Sequence, residues 1–586
     1  MIDLAHTIHG HKNPVNEIRI ISDTEIEGLK RTEGWATNHF VYFRAKFNKP
    51  FTCKLYQNNV EAVGSKEIIS HASKAVLFFE TQKGEQVLSK VGISSVDYEG
   101  ARKNLYAEIP DWNFDKVVTD AKQVWNTELG KINVEGKTEN DKIIFYTSLY
   151  HSAIDPNVFS DIDSRYRGED GKIHQKNGFT NYTVFSLWDT FRALHPLLTI
   201  IDPKRDNDFI NALLSKYDEG GILPKWDLAD NYTGTMIGYH AVPVIVDAYM
   251  KGIRNFDIDK AYKAIIKSSL YDTAGVKAPS KQVMNKLVSR DKYLNAMYGF
   301  IPADSIDRSV SIGLEYAYDD WCISRLAKSL GKMDDYKIYC KRALRYKKYF
   351  DSSSGFMRGI NADGSWVTPF NPRISSGKTD YVEGNAWQWN WFVPQDIPSL
   401  VKLMGGKTKF ITKLDSLFSI PSHIEGEEQI VDASGLIGMY AHGNEPSHHI
   451  AHIYNYVGQP WKTQALVDSV LSTFYLNDPD GISGNEDCGQ MSAWYVLNAI
   501  GFYSFCPGNP TYSIGRPVFD KVTIQLENNK QFVVKTINNS RKNKYIQSVM
   551  LNGKVLKKPF IDHATIINGG ILVFKMGQSP NYNWGN

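Results

Sequence analysis

The run Gly484-Asn485-Glu486-Asp487-Cys488-Gly489-Gln490-Met491-Ser492-Ala493-Trp494 sets carboxylates, amides and glycines on a turn that opens an apolar helix. Far upstream lies a second dense run, Glu383-Gly384-Asn385-Ala386-Trp387-Gln388-Trp389. A pair of carboxyl groups among amides and indoles suits glycosidic hydrolysis: one acid protonates the leaving oxygen, and the other carboxylate activates water. Glu383, beside Trp387, Trp389 and Trp391, is expected to be partly desolvated and to hold its proton near neutrality. Asp487 precedes open backbone donors at Cys488-Gly489-Gln490, which favour its ionised form. Each also has a structural reading: Glu383 as an acid at a helix N-terminus, Asp487 as a helix cap. Glu486, adjacent to Asp487, is expected to face solvent or the rear of the site.

Two further segments carry ligand atoms. Tyr440-Ala441-His442-Gly443-Asn444-Glu445-Pro446-Ser447-His448-His449-Ile450-Ala451-His452 offers oxygens at Asn444 and Glu445 that suit a hard cation such as Ca²⁺. His448 and His452 stand four apart, but no third ligand at a zinc spacing and no HExxH accompanies them. Ser186-Leu187-Trp188-Asp189-Thr190-Phe191-Arg192 is expected to begin a long apolar helix; Trp188 is placed to stack on a sugar face and Asp189 to accept sugar hydroxyls. No Walker loop, GxSxG elbow or CxxC occurs, which argues against nucleotide, serine-hydrolase and dithiol chemistry.

These residues need a scaffold. A chain of 586 residues calls for two or three domains. Its 42% hydrophobic and 22% charged content is that of a folded protein, and a net charge of +3 argues against a nucleic-acid partner. The 12% aromatic content suits ligands with flat apolar faces. Five scattered cysteines form no disulfide framework, although Cys488 and Cys506 flank one helix. No apolar run is long enough to span a bilayer, and Met1-Ile2-Asp3-Leu4-Ala5-His6 lacks the pattern of a signal peptide.

The predicted class is α+β multidomain. Residues 1–95 read as strands of a partial β-sandwich, too few to close it, with a linker over 96–112. Residues 113–510 read as an (α/α)6 toroid of paired helices, one of which begins at Asp319-Asp320 and stops at Gly331. Residues 511–586 return to strands, with a hairpin turn at Asn552-Gly553. The two β ends are expected to pack together as one layer against the helical ring.

Taken in order, the Ser186–Pro196, Leu314–Cys322, Glu383–Gln388, His442–His449 and Gly484–Tyr495 motifs resemble glycoside hydrolase family 92, calcium-dependent exo-α-mannosidases. The resemblance implies an inverting mechanism with Glu383 as general acid and Asp487 as general base, their carboxyls about 6.5–9.5 Å apart. It implies Ca²⁺ as cofactor with Asn444 and Glu445 among its ligands. It also implies mannose contacts at Trp188, Asp189, His442, Glu445 and Asn485. Some relatives carry Asp at the position of Asn485. The implied partner is a mannose-containing oligosaccharide or glycoprotein glycan, with no nucleic acid and no membrane, for a monomer or homo-oligomer. The implied location is periplasmic or extracellular. Relatives have a longer N-terminal sandwich, so the chain is expected to lack part of it. The alternative is therefore a non-catalytic mannose- or glycan-binding protein on the same scaffold.

Overall fold

The computed structural model describes every residue except 177, 376–378, 427–431 and 586. The N-terminal strands form two antiparallel sheets. One runs Glu67–Ser70, Lys12–Ile20, Glu25–Glu33, His39–Phe47, Ser89–Ser94; the other runs Ile2–Asp3, Ser73–Phe78, Thr52–Gln57, Val60–Glu61. Alternating apolar side chains from both sheets, including Ile18, Ile26, Phe43, Leu55 and Ala75, meet in one buried cluster. These strands suffice to build a two-sheet sandwich, and the expectation of too few strands is corrected. Period-two alternation lets strands such as Lys12–Ile20 and Thr52–Gln57 bury one face against the other sheet.

The segment expected to be a linker is largely the helix Tyr98–Glu108, capped by Asp97 and packed on Ser89–Ser94 and His39–Phe47. A second correction concerns the two β ends, which do not merge. The C-terminal strands build their own six-stranded sheet, whose outer strand Ile132–Glu135 pairs with Lys521–Gln525. This sheet and the helices between share one continuous apolar core, separate from that of the sandwich.

At the centre of the helical domain lies Ser309–Ser329. Asp319 and Asp320 do not start this helix, as their acidity suggested; they lie buried inside it. Burial is tolerable because both are paired. Asp319 accepts from His240 Nδ1 at 2.9 Å and from the Tyr239 amide at 3.0 Å. Asp320 accepts from Tyr239 Oη at 2.7 Å and from Arg342 at 2.8 Å. One turn earlier Glu315 accepts from the Trp188 indole at 2.8 Å and from Arg192 at 3.1 Å, which ties the Ser186–Arg192 segment to this helix.

Candidate active site

The stretch beginning at Ser186 is not one long helix. It breaks between Leu187–Thr190 and Leu194–Ile201. At the break, the amides of Ala193 and Leu194 donate to Gln490 Oε1 at 2.8 and 3.2 Å. Gln490 opens the buried helix Gln490–Ile500, directly after the Asp487 turn. A side-chain oxygen thus takes two orphaned helix donors and fixes Asp189 relative to Asp487.

Asp487, Cys488 and Gly489 have φ of +47°, +57° and +87°, and Glu383 has φ +47°. Left-handed geometry at non-glycine residues costs about 1–2 kcal/mol each, and such strain concentrates where side chains must be aimed. Packing imposes it here. A Cβ at Gly489 would lie 2.9 Å from Ser152 Cα, and one at Gly484 would lie 2.2 Å from the Gly443 carbonyl. Only glycine permits these loops to touch. On the other wall, Asn385 and Gln388 form a capping box for Ala386–Trp389, and Gln388 Nε2 donates to the Met439 carbonyl at 2.7 Å. The Asn444 amide donates to the Glu383 carbonyl at 2.7 Å, so the Glu383 and Glu445 loops are also joined.

The result is a convergence of acids. Ligand oxygens of Asp189, Glu445 and Asp487 lie within 4.8 Å of one another. Asp189 Oδ1 and Glu445 Oε1 are buried with no hydrogen-bond partner among the described residues. Burial, then the charge of Asp487, pushes Asp189 well up; burial, then Asp189 and Asp487, does the same to Glu445. Asp487 is pushed up to about 6 by burial and by Asp432 and Glu486, against a hydrogen bond with Glu445. Glu383 is pushed up to about 7 by burial, then by Asp432 and Asp487, against Arg308 and Asn444. Packed carboxylates with orphaned oxygens fit a hard divalent cation, which would reverse their mutual repulsion. Asn444, expected with Glu445 as a ligand, directs its amide N–H to the Glu383 carbonyl.

Other expected contacts are placed differently. His442 is fully buried, with Nδ1 on Tyr440 Oη and Nε2 on Tyr475 Oη, both at 2.8 Å. No ring nitrogen remains for a sugar, and His442 is corrected to a support of the loop. Trp188 is 2% exposed, with its indole N–H on Glu315, so it forms wall rather than platform. His448 and His452 are likewise bonded within the core, to Gln490 and the His442 carbonyl and to Ser513 and Asn498. All five cysteines are free thiols. Asn485 is exposed on the base-bearing turn and donates to Asp432 at 2.9 Å.

The sequence reading missed Trp35. It lies in the hairpin between Glu25–Glu33 and His39–Phe47, its ring 4.6 Å from that of Trp226 and its N–H on Thr235 at 2.7 Å. Thr37 and Asn38 in the same hairpin donate to Asn231. The sandwich thus reaches the helical domain. The available signal was Gly34-Trp35 at a turn, where an apolar ring has no intradomain reason to be.

Glu486, expected to face solvent or the rear of the site, takes the rear position behind the Asp487 turn. Glu486 accepts from the Ser492 amide at 2.9 Å, Ser492 Oγ at 2.8 Å and His151 Nδ1 at 3.1 Å, the last bond raising the His151 pKa. Glu486→Ala would leave these donors unmatched and loosen Asp487. Steady-state kinetics should show kcat lower by on the order of 10- to 100-fold, with KM little changed.

The fold is thus a helical domain that holds carboxyls on strained turns, with a β-sandwich packed against it through Trp35, Thr37 and Asn38. The chain belongs to glycosyl hydrolase family 92. Residues 100–578 match the family's catalytic domain and residues 1–94 its N-terminal domain. It is similar to a GH92 α-mannosidase of Bacteroides thetaiotaomicron, also solved with mannoimidazole: 37% identity and TM-score 0.91, over 98% of this chain and 75% of that one. A GH92 inverting mannosidase of the same species has 32% identity and TM-score 0.89, over 98% and 78%. An uncharacterized secreted glycosidase of Arthroderma benhamiae is 29% identical over 541 residues; these cover 85% of this chain but 62% of that protein. The N-terminal domain is thus present, although the chain spans only part of its relatives' lengths.

Proposed function

We propose that this protein is an exo-acting α-mannosidase that removes terminal α-linked mannose from glycans by an inverting, Ca²⁺-dependent mechanism. The observation that carries this reading is the gathering of Asp189, Glu445 and Asp487 within 4.8 Å, with Glu383 near enough that burial and the Asp487 charge push its carboxyl up to about 7. The mannosidase names of the similar structures support mannose as the sugar. Glu383 donates its proton to the glycosidic oxygen as the C1–O bond breaks. Asp487 takes a proton from a water whose oxygen bonds to C1 from the opposite face, giving β-mannose. Asp189 and Glu445, with their orphaned oxygens, are the residues to hold Ca²⁺. When bound, Ca²⁺ supplies a Lewis-acid contact to sugar hydroxyls. A periplasmic or extracellular place of action fits the secreted relative, and no helix among the described residues is long and apolar enough to cross a membrane.

The test is hydrolysis of α-mannosides followed by NMR, with β-mannose as the expected first product. Chelator treatment is expected to lower turnover about tenfold or more, with recovery on adding Ca²⁺. Saturating Ca²⁺ should also raise the unfolding temperature, because a ligand at about 100 times its Kd adds about 2.7 kcal/mol to the folded state. Full activity after complete chelation would remove the metal from the proposal. Mannose binding without hydrolysis would favour the binding-protein reading.

A further inference from the structure

A third loop packs against the two that carry Glu445 and Asp487. Its residues Asp432–Gly435 join the Glu445 loop through backbone bonds: the Gly443 amide donates to the Ser434 carbonyl at 3.1 Å, and the His442 amide to Gly435 at 3.0 Å. The seam is closed by glycines. A Cβ would fall 2.6 Å from Ser483 Oγ at Gly435 and 2.1 Å from Ser434 Oγ at Gly443. Asp432 is therefore carried on a loop locked to both catalytic turns, and the Asn485 amide fastens its carboxylate at 2.9 Å.

Three features of this seam are unexplained by folding alone. Asp432 is half-buried and forms no ion pair among the described residues. The hydroxyls of Ser434 and Ser483, on either side of the seam, are buried with no hydrogen-bond partner among the described residues. The Asp432 charge also acts on both Glu383 and Asp487, and on Glu383 more strongly than Asp487 does. A half-buried carboxylate and idle hydroxyls leave hydrogen-bonding capacity that an incoming polar ligand can fill. A polyol suits this role, since each sugar hydroxyl can donate to a carboxylate and accept from a serine.

We infer that Asp432 is a third substrate-facing carboxylate of this cleft, held by Asn485 and flanked by Ser434 and Ser483, and that it accepts hydrogen bonds from hydroxyls of the bound sugar. The inference rests on the mannosidase reading above. Its role is binding: the carboxylate meets hydroxyls present in both ground and transition states, so its loss acts mainly on affinity.

The experiment compares wild type, Asp432→Asn, Asp432→Ala and Asn485→Ala. KM and kcat are measured on an α-mannoside, and Kd for mannoimidazole by calorimetry. Circular dichroism and thermal melting check folding, and the isosteric Asp432→Asn carries the test if Asp432→Ala misfolds. Asp432→Ala is expected to raise KM and Kd roughly 10- to 100-fold, with kcat within a few-fold. Asp432→Asn and Asn485→Ala should raise them less. KM and Kd within twofold of wild type in both Asp432 variants would overturn the inference, as would a loss confined to kcat. A wild-type protein that neither cleaves α-mannosides nor binds mannoimidazole would overturn the mannosidase reading itself, and this inference with it.

Discussion

Glu383→Gln is expected to lower kcat on oligomannosides by about 10²- to 10⁴-fold while leaving mannoimidazole binding largely in place. The amide keeps the shape of the carboxyl but has no acidic proton for the departing oxygen. The effect depends on the leaving group. A sugar alkoxide cannot leave unprotonated, whereas a nitrophenolate can, so an aryl mannoside should lose far less. Plotting log kcat against leaving-group pKa checks this: the variant should show a steep slope where wild type is shallow. Equal losses on both substrates would remove Glu383 from the acid role. The cause lies in its surroundings, where burial and the charges of Asp432 and Asp487 push it up to about 7. Glu383 must be protonated to act, so wild-type kcat/KM should fall as pH rises past about 7, and this limb should vanish in the variant on an aryl mannoside.

Asp487→Ala is expected to cost a similar factor, about 10²- to 10⁴-fold, on every substrate, because water must be deprotonated whatever leaves. Azide needs no deprotonation. It should restore turnover to this variant on an aryl mannoside and give the β-azide, the inverted product. Failure of azide to rescue a folded variant, or an α-configured product, would count against the assignment. Asp487 must be ionised, so activity should also fall as pH drops below about 6. The two limbs belong to interacting carboxyls and are properties of the pair. Ca²⁺ beside Asp189 and Glu445 would favour ionised Asp487 and move the acidic limb lower.

Much of the frame was legible in the chain. The sandwich strands announced themselves by alternation, as in His39–Phe47, and the helix Pro460–Thr473 by its leading proline and apolar face. The motifs around Asp189, Glu383, Glu445 and Asp487 marked the segments that the fold gathers. Local rules failed where a distant partner overrode them. Asp319 and Asp320 read as a helix start, yet His240, Tyr239 and Arg342 make them affordable in the interior of Ser309–Ser329. His442 read as a sugar contact, yet Tyr440 and Tyr475 occupy both its nitrogens.

By itself the sequence determined which residue types are available for chemistry and in what order the β and α segments follow, because residue type and periodicity are local properties. Only the tertiary structure decided which acids face one another. Asp189, Glu445 and Asp487 share a cluster because Gln490 caps a broken helix and glycines let the loops close. Asp432 reaches Asn485, and Trp35 reaches Trp226, from loops with no periodic signal. Burial and mutual charge, which set Glu383 near 7 and Asp487 near 6, depend on distances across the fold that no run of neighbouring residues encodes.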